Sequence, residues 1–423
     1  MKKYYKRILD DVIEDELKLV GGVLIEGPKY CGKTETSKLL SKTHIFLNDI
    51  DKKNYYEELI KTKPSLLFKG ETPILLDEFQ DYPILFDGVR FEIDQRNQKG
   101  LFILTGSSVL KDNLVKHSGV GRMSRIRMRP LSLFESEHSK GLISFKSIFD
   151  DAKNSFVNAS SELKLDGVIE RICVGGWPSN IDLDVELALK ANLRYIDQTI
   201  KSDINRIDGV VKNPTKVRKM LQSFARNIQT PTSISTIAND VNQSNGSDLS
   251  TKTISNYINA LEKIFIIENT EAWTPNIRSK TIIRTSEKLG FVDPSIAIAI
   301  KGLNPKSLLN DFNYLGFLFE SLVIRDLKIY AESINGQIYY YRDKQNLECD
   351  AVFVLNDGRY GLIEIKMGLG HIEEATNTLL KLKDKLKNGE KNKPSFLMII
   401  TAEGESFITK DGILVVPIGL LRN

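Results

Sequence analysis

At 423 residues the chain is too long for one ordinary core, so it is expected to divide into two or three domains. Hydrophobic residues make up 41% and charged residues 27%, a globular balance, and a formal charge of +4 argues against a chain-wide polyanion binder. Met1-Lys2-Lys3-Tyr4-Tyr5-Lys6-Arg7 lacks the apolar run of a secretion signal and no stretch is apolar enough to span a bilayer, so a cytoplasmic protein without membrane association is expected. Cys31, Cys173 and Cys349 stand far apart without a CxxC, which supports neither a disulfide framework nor a zinc site.

In chain order, the first telling element is an apolar strand, Gly22–Glu26. It is followed by Gly27-Pro28-Lys29-Tyr30-Cys31-Gly32-Lys33-Thr34 and a helix, Lys33–Leu40. The loop fits GxxxxGK[ST], and its strand-loop-helix setting marks a phosphate site. Glycines at this spacing let consecutive backbone N–H groups turn inward around phosphate oxygens, and the next helix adds its positive dipole end. Lys33 then reaches the β- and γ-phosphates of a bound nucleotide and Thr34 holds Mg²⁺; a plain glycine-rich turn is the alternative. Further strands are expected at 43–47, 73–77, 101–105 and 124–128, separated by helical or loop stretches, which implies a parallel sheet with crossovers. The strand Ile74-Leu75-Leu76 runs into Asp77 and Glu78, placing Asp77 to hold Mg²⁺ and Glu78 to polarise the attacking water. After the next strand, Gly106-Ser107-Ser108 sets small hydroxyls at the carboxyl edge of the sheet, with Ser107 as candidate γ-phosphate sensor. The basic run 121–130 offers Arg122 for transition-state charge stabilisation on a neighbouring subunit's nucleotide; solvated arginines flanking a strand account for the run equally well.

The stretches GPKYCGKT, ILLDEFQ and LTGSS, with the GR followed by RPLSLFE at 129–135, resemble in order and spacing the bacterial and archaeal AAA+ ATPases. In those proteins a compact core precedes a poorly characterised C-terminal module. The resemblance covers the first 135 residues and implies ATP binding, Mg²⁺ dependence and action as a homo-oligomer.

Residues 160–210 alternate helical stretches with Gly175-Gly176-Trp177-Pro178, where the glycines are free to take positive φ and Pro178 blocks helix continuation. A helical lid or connector is expected there. Three helices follow, at 216–227, at 234–241 and from the N-cap Ser250 onward, with a polar turn at 242–248. Ile254, Ile258, Leu261 and Phe265 recur at helical spacing as the buried face of the third, leaving Lys252, Ser255, Asn256 and Asn259 outside. Such a face suits base edges or phosphates in a major groove, and 265–267 with 281–283 would supply the strands of a wing. Between 212 and 290, eleven Lys and Arg stand against six Asp and Glu, which points to nucleic acid, DNA rather than RNA. A protein-docking spacer of the same winged-helix shape is the alternative.

The last third opens a strand with Glu348-Cys349-Asp350, turns at Asn356-Asp357-Gly358 and returns through Glu364-Ile365-Lys366. Side chains two apart on a strand share a face, so Glu364 and Lys366 point the same way and the hairpin brings Asp350 beside them. Upstream, Glu320 interrupts the apolar helical run Phe317-Leu318-Phe319-Glu320-Ser321-Leu322-Val323, where a carboxylate needs a partner or a metal. This set resembles the PD-(D/E)xK nuclease superfamily and the nuclease-like module that follows AAA+ cores. The resemblance implies a second Mg²⁺ or Mn²⁺ held by Glu320, Asp350 and Glu364, with Lys366 stabilising charge during phosphodiester cleavage. A set of mutually offsetting ion pairs on an edge strand is the alternative.

The expected fold is α/β. A P-loop NTPase (AAA+) parallel-sheet core at 1–150 is followed by a helical connector at 151–214 and a winged helix at 215–304, and an α/β PD-(D/E)xK nuclease-like domain spans 305–423. Three functions are compatible with it: an ATPase coupled to nucleic-acid handling and cleavage, a nucleotide-controlled switch with an inactive nuclease-like domain, and a scaffold that binds ATP only for stability.

Overall fold

A computed structural model of the chain describes residues 3–109, 121–207, 211–243, 249–274, 286–387 and 393–423. The chain forms two compact units, one of Met1–Pro130 with Lys263–Phe265, the other of Leu131–Glu262 with Ile266–Asn423.

The first unit is built on β1 (Gly22–Glu26), β2 (Thr43–Phe46), β3 (Ile74–Asp77), β4 (Phe102–Gly106) and β5 (Met123–Arg127), all parallel, in the order β2-β3-β4-β1-β5. Because strand side chains alternate, Leu24, Leu76 and Leu104 enter one core with Phe68, Phe79 and Phe86. Val23, Ile25, Leu75 and Ile103 enter the other with Leu9, Ile13 and Met128. The helix Ile8–Leu19 lies on the second face; Tyr56 and Ile60 of Lys53–Thr62 and Leu85, Val89 and Ile93 of Ile84–Arg96 fill the first. Burial on both faces is what gives parallel strands their unbroken apolar runs.

In the second unit β6 (Ile143–Ser144) and a six-stranded sheet are packed with helices. The sheet contains β7 (Gly336–Arg342), β8 (Glu348–Leu355), β9 (Tyr360–Lys366), β10 (Phe396–Thr401), β11 (Phe407–Ile408) and β12 (Leu414–Pro417), in the order β11-β12-β10-β9-β8-β7. The β7, β8 and β9 neighbours run antiparallel, while β9, β10 and β12 are parallel. The crossover helix Ile372–Lys387 covers one face with Ala375, Leu379, Leu382 and Leu386. On the other side Phe145 and Phe149 pack against Phe353, both pairs with ring centroids 5.1 Å apart. A last strand, β13 (Leu421–Arg422), pairs in parallel with β6. Residues 131–150, expected in the first domain, thus lie in the second unit, because their strand is completed by the far end of the chain.

Helices at Leu165–Val174, Val185–Gln198, Pro214–Arg226, Ile234–Gln243 and Thr251–Lys263 fill the middle. Ser250 Oγ accepts the Thr253 N–H at 3.2 Å, as an N-cap does. Two local expectations fail. Only Gly175 of the glycine pair takes positive φ (76°). Phe265 is not on the third helix, which ends at Lys263, and it takes a left-handed φ of 61°. The segment beyond it makes isolated antiparallel bridges, Ile267 with Phe291 and Thr270 with Lys288, rather than a ladder. It then touches β7, where Trp273 N–H donates to Tyr340 O at 2.7 Å and Tyr340 N–H to Glu271 O at 3.0 Å. The expected wing strand 281–283 and part of the turn 242–248 lie outside the described residues.

Candidate functional site

Parallel strands deliver the loops at their carboxyl ends to one edge of the sheet. There β1 presents the glycine-rich loop, β3 presents Asp77 and Glu78, and β4, wedged between them, presents Thr105 and Ser107. A Cβ at Gly27 would stand 2.1 Å from the Met128 carbonyl oxygen, so only glycine fits. Tyr30 (φ 65°) and Gly32 (φ 109°) both take left-handed backbone, the curvature that lets successive N–H groups face an anion. Pro28 and Cys31 are buried, Lys29 is half-buried and Tyr30 is exposed. Arg7, itself buried, donates to the carbonyls of Cys31 (2.8 Å) and Arg129 (2.7 Å), bracing the loop from behind.

Lys33 donates to the Gly27 and Pro28 carbonyls at 2.9 and 2.8 Å. Thr34 Oγ1 donates to Asp77 Oδ1 at 2.9 Å, and Thr105 Oγ1 donates to the same oxygen at 2.6 Å. Thr105 Oγ1 also accepts the Glu78 N–H at 3.0 Å, anchoring Glu78 in left-handed backbone (φ 59°), a conformation that costs about 1–2 kcal/mol without glycine. The Glu78 carboxylate accepts from Gln80 Nε2 at 2.6 Å and from Ser107 Oγ at 3.1 Å. Burial pushes the Asp77 carboxyl above its ordinary range, against the hydrogen bonds from Thr105 and Thr34 that favour its charge. The hydroxyl of Thr34 and the carboxylate of Asp77 are oxygen donors of the kind Mg²⁺ takes, so the residues fit that ion.

Lys33, Thr34, Asp77, Glu78 and Ser107 therefore meet at one edge. Arg122 does not join them: it immediately precedes β5 at the amino end of the sheet, where it pairs with Asp94. The sequence reading missed Thr105 and Gln80. Thr105 reads as an ordinary strand former, and the only hint of its role is that it ends a strand beside Gly106-Ser107.

The second unit holds a separate cluster. Asp350 Oδ2 accepts the Ile365 N–H at 2.8 Å and lies 3.7 Å from Lys366 Nζ, which is 2.8 Å from Glu364 Oε2. Glu320, Asp350, Glu364 and Lys366 are thus brought together, with two residues the sequence did not assign, Lys288 and Glu348. Lys288 Nζ is 2.8 Å from Glu320 Oε1, 3.0 Å from Glu348 Oε1 and 3.7 Å from Asp350 Oδ1. Burial raises the Glu320 carboxyl to about 7, Lys288 opposing. Burial and then Asp350 push Glu364 upward as well. Burial works against the charge on both lysines, but their acidic neighbours hold Lys288 and Lys366 protonated. Among the described residues, no group of three or more His, Cys, Asp or Glu side chains is arranged to hold a metal ion. The fit to the second divalent ion is therefore poor: an ammonium already stands among its oxygens.

A third charged group is structural. Arg325 is 2.8 Å from Asp293 Oδ2 and 2.7 Å from Asp326 Oδ1, all buried. Asp326 accepts the Leu133 N–H and Asp293 the Gly176 N–H, each at 2.9 Å. Four distant segments of the second unit converge on one guanidinium.

Comparison with known proteins adds three family matches: the AAA domain over residues 21–137, and two domains of unknown function, DUF8612 over 165–307 and DUF4143 over 315–421. Uncharacterized proteins of Mycobacterium bovis and Mycobacterium tuberculosis are each 24% identical over 346 residues, spanning 81% of this chain and 70% of theirs. Among solved structures, a Walker-type ATPase of Pyrococcus abyssi shares 14% identity with a TM-score of 0.44, covering 70% of this chain and 96% of its own. The Aeropyrum pernix ORC1 protein in complex with DNA shares 13% with a TM-score of 0.25, covering 73% and 95%. No helix among the described residues is long and apolar enough to cross a membrane. The family match and the strand-edge geometry agree, and the first unit carries an AAA-type ATPase domain.

Proposed function

We propose that the chain hydrolyses ATP with Mg²⁺ and uses the nucleotide cycle to control nucleic-acid handling by its second unit, with DNA rather than RNA as the partner. The observation that carries the ATPase reading is the hydrogen-bonded chain Thr34–Asp77–Thr105–Glu78, which links the first turn of helix Lys33–Leu40 to the carboxyl ends of the neighbouring strands β3 and β4. Lys33 exchanges its loop carbonyls for phosphate oxygens. Thr34 and Asp77 would hold Mg²⁺, which supplies positive charge at the phosphates when bound. Glu78 orients the attacking water, and Ser107 senses the γ-phosphate through its bond to Glu78. Arg122 precedes β5 and lies about 17 Å from the nucleotide edge of that strand, at 3.3 Å per residue, so it serves a neighbouring copy's site in a cytoplasmic homo-oligomer.

In this reading 151–214 is a connector, 215–304 a winged helix whose Lys252, Asn256 and Asn259 face the nucleic acid, and 305–423 a PD-(D/E)xK nuclease-like module. All three of those side chains are exposed, while Ile254, Ile258 and Leu261 are buried, which supports the assignment of faces. The switch, with an inactive nuclease-like module, is favoured over cleavage by the position of Lys288. Phosphate release should be measured with and without duplex DNA, for the wild type and for Lys33→Ala. Turnover that is lost in the variant and stimulated by DNA is expected; turnover indifferent to Lys33 would end the ATPase reading.

A further inference from the structure

Lys288 is delivered by backbone, not by a swinging side chain. Its N–H and C=O both pair with Thr270 at 2.9 Å, and its side chain is 2% exposed. Glu320 comes from the long helix Phe312–Ser333, Glu348 and Asp350 from β8, and Glu364 and Lys366 from β9. Lys288 takes one oxygen each of Glu320, Glu348 and Asp350, and Lys366 takes the other oxygen of Asp350 and one of Glu364. A divalent ion would need those same oxygens at roughly 2.0–2.6 Å, and the approach would force it against a fixed ammonium. Two cations cannot share the same acceptors without strong repulsion in so buried a place.

We propose that Lys288 is the resident cation of this cluster, standing where a nuclease-like site would place its metal, so that the module takes up no divalent ion and activates no metal-bound water. This deepens the switch reading and rests on the nuclease-like assignment of 305–423. Glu348 is 35% exposed, so the cluster is open on one side and a metal is refused by occupancy, not by lack of access.

The test is Mn²⁺ binding to the full chain without nucleotide, by electron paramagnetic resonance, in wild type, Asp350→Asn, Lys288→Met and Lys288→Met/Asp350→Asn. Comparison within each Asp350 pair removes any contribution from Thr34 and Asp77. Expected are no Asp350-dependent site in wild type and one such site in Lys288→Met, whose thermal midpoint then rises on adding Mn²⁺ while that of wild type does not. A Lys288→Arg variant, which keeps a cation, should stay without the site. An Asp350-dependent Mn²⁺ site in the wild type or in Lys288→Arg overturns the proposal, as does a folded Lys288→Met that gains none. If Lys288→Met does not fold, the wild-type and Lys288→Arg titrations decide. Phosphate release is not a readout, so failure here leaves the ATPase reading standing.

Discussion

Lys33 and Lys288 are both buried lysines, and their partners differ in kind. Lys33 is held by two neutral carbonyls of its own loop, Lys288 by three carboxylates from two other elements. A carbonyl positions an ammonium and leaves its charge uncompensated, available to an incoming phosphate; carboxylates cancel it. The first arrangement is poised to exchange partners, whereas the second is complete, because leaving its partners would strand buried anions. Burial of a lysine is thus no guide to function until its acceptors are known.

The largest expected effect tests how far charge in the second unit is purely structural. Arg325→Met leaves Asp293 and Asp326 buried without their cation and should lower stability by about 3–5 kcal/mol. Both tryptophans, Trp177 and Trp273, belong to the second unit, so tryptophan fluorescence in denaturant follows that unit selectively. Lys33→Ala should cut ATP turnover by on the order of 10²-fold or more while leaving the fluorescence transition in place. If both observables moved together, the contrast between a poised and a satisfied lysine would fail. Thr105→Val removes the hydroxyl shared by Asp77 and the Glu78 N–H and should cost about 1–3 kcal/mol, read as slower phosphate release and a lower thermal midpoint.

The smallest effect is a pH dependence. Glu320 titrates near 7 in the folded chain against 4.5 for a free glutamate, so between those values the folded state holds a proton that the unfolded chain has lost. Stability should therefore fall as pH rises through that window. Glu320→Gln should flatten this slope in tryptophan-monitored denaturation. A wild type whose stability climbs relative to the variant from pH 5 to 7.5 would contradict the assignment.

Much of the first site was legible because it is local. Strand Gly22–Glu26, the loop and helix Lys33–Leu40 occupy nineteen consecutive residues, and backbone geometry alone dictates their pattern. Asp77, Glu78 and Ser107 followed from apolar runs ending in polar residues. Lys288 was invisible because its partner Glu320 lies 32 residues away and Glu348 farther still, and nothing in its flanking sequence marks it. Arg325 was hidden for the same reason, since its partner Asp293 also lies 32 residues away. Phe265 misled because its spacing continues the series Ile254, Ile258, Leu261, although the chain leaves the helix two residues earlier.

The segment 266–273 that receives Lys288 through Thr270 is also the one that meets Tyr340 on the outer flank of β7. Part of that flank is thereby taken, and strand-by-strand growth onto another copy is blunted there. A single displacement of this segment would bare a sticky rim and uncage three acids together, so the chain's guard against aggregation and its counter-ion are tied to each other by one pair of backbone hydrogen bonds.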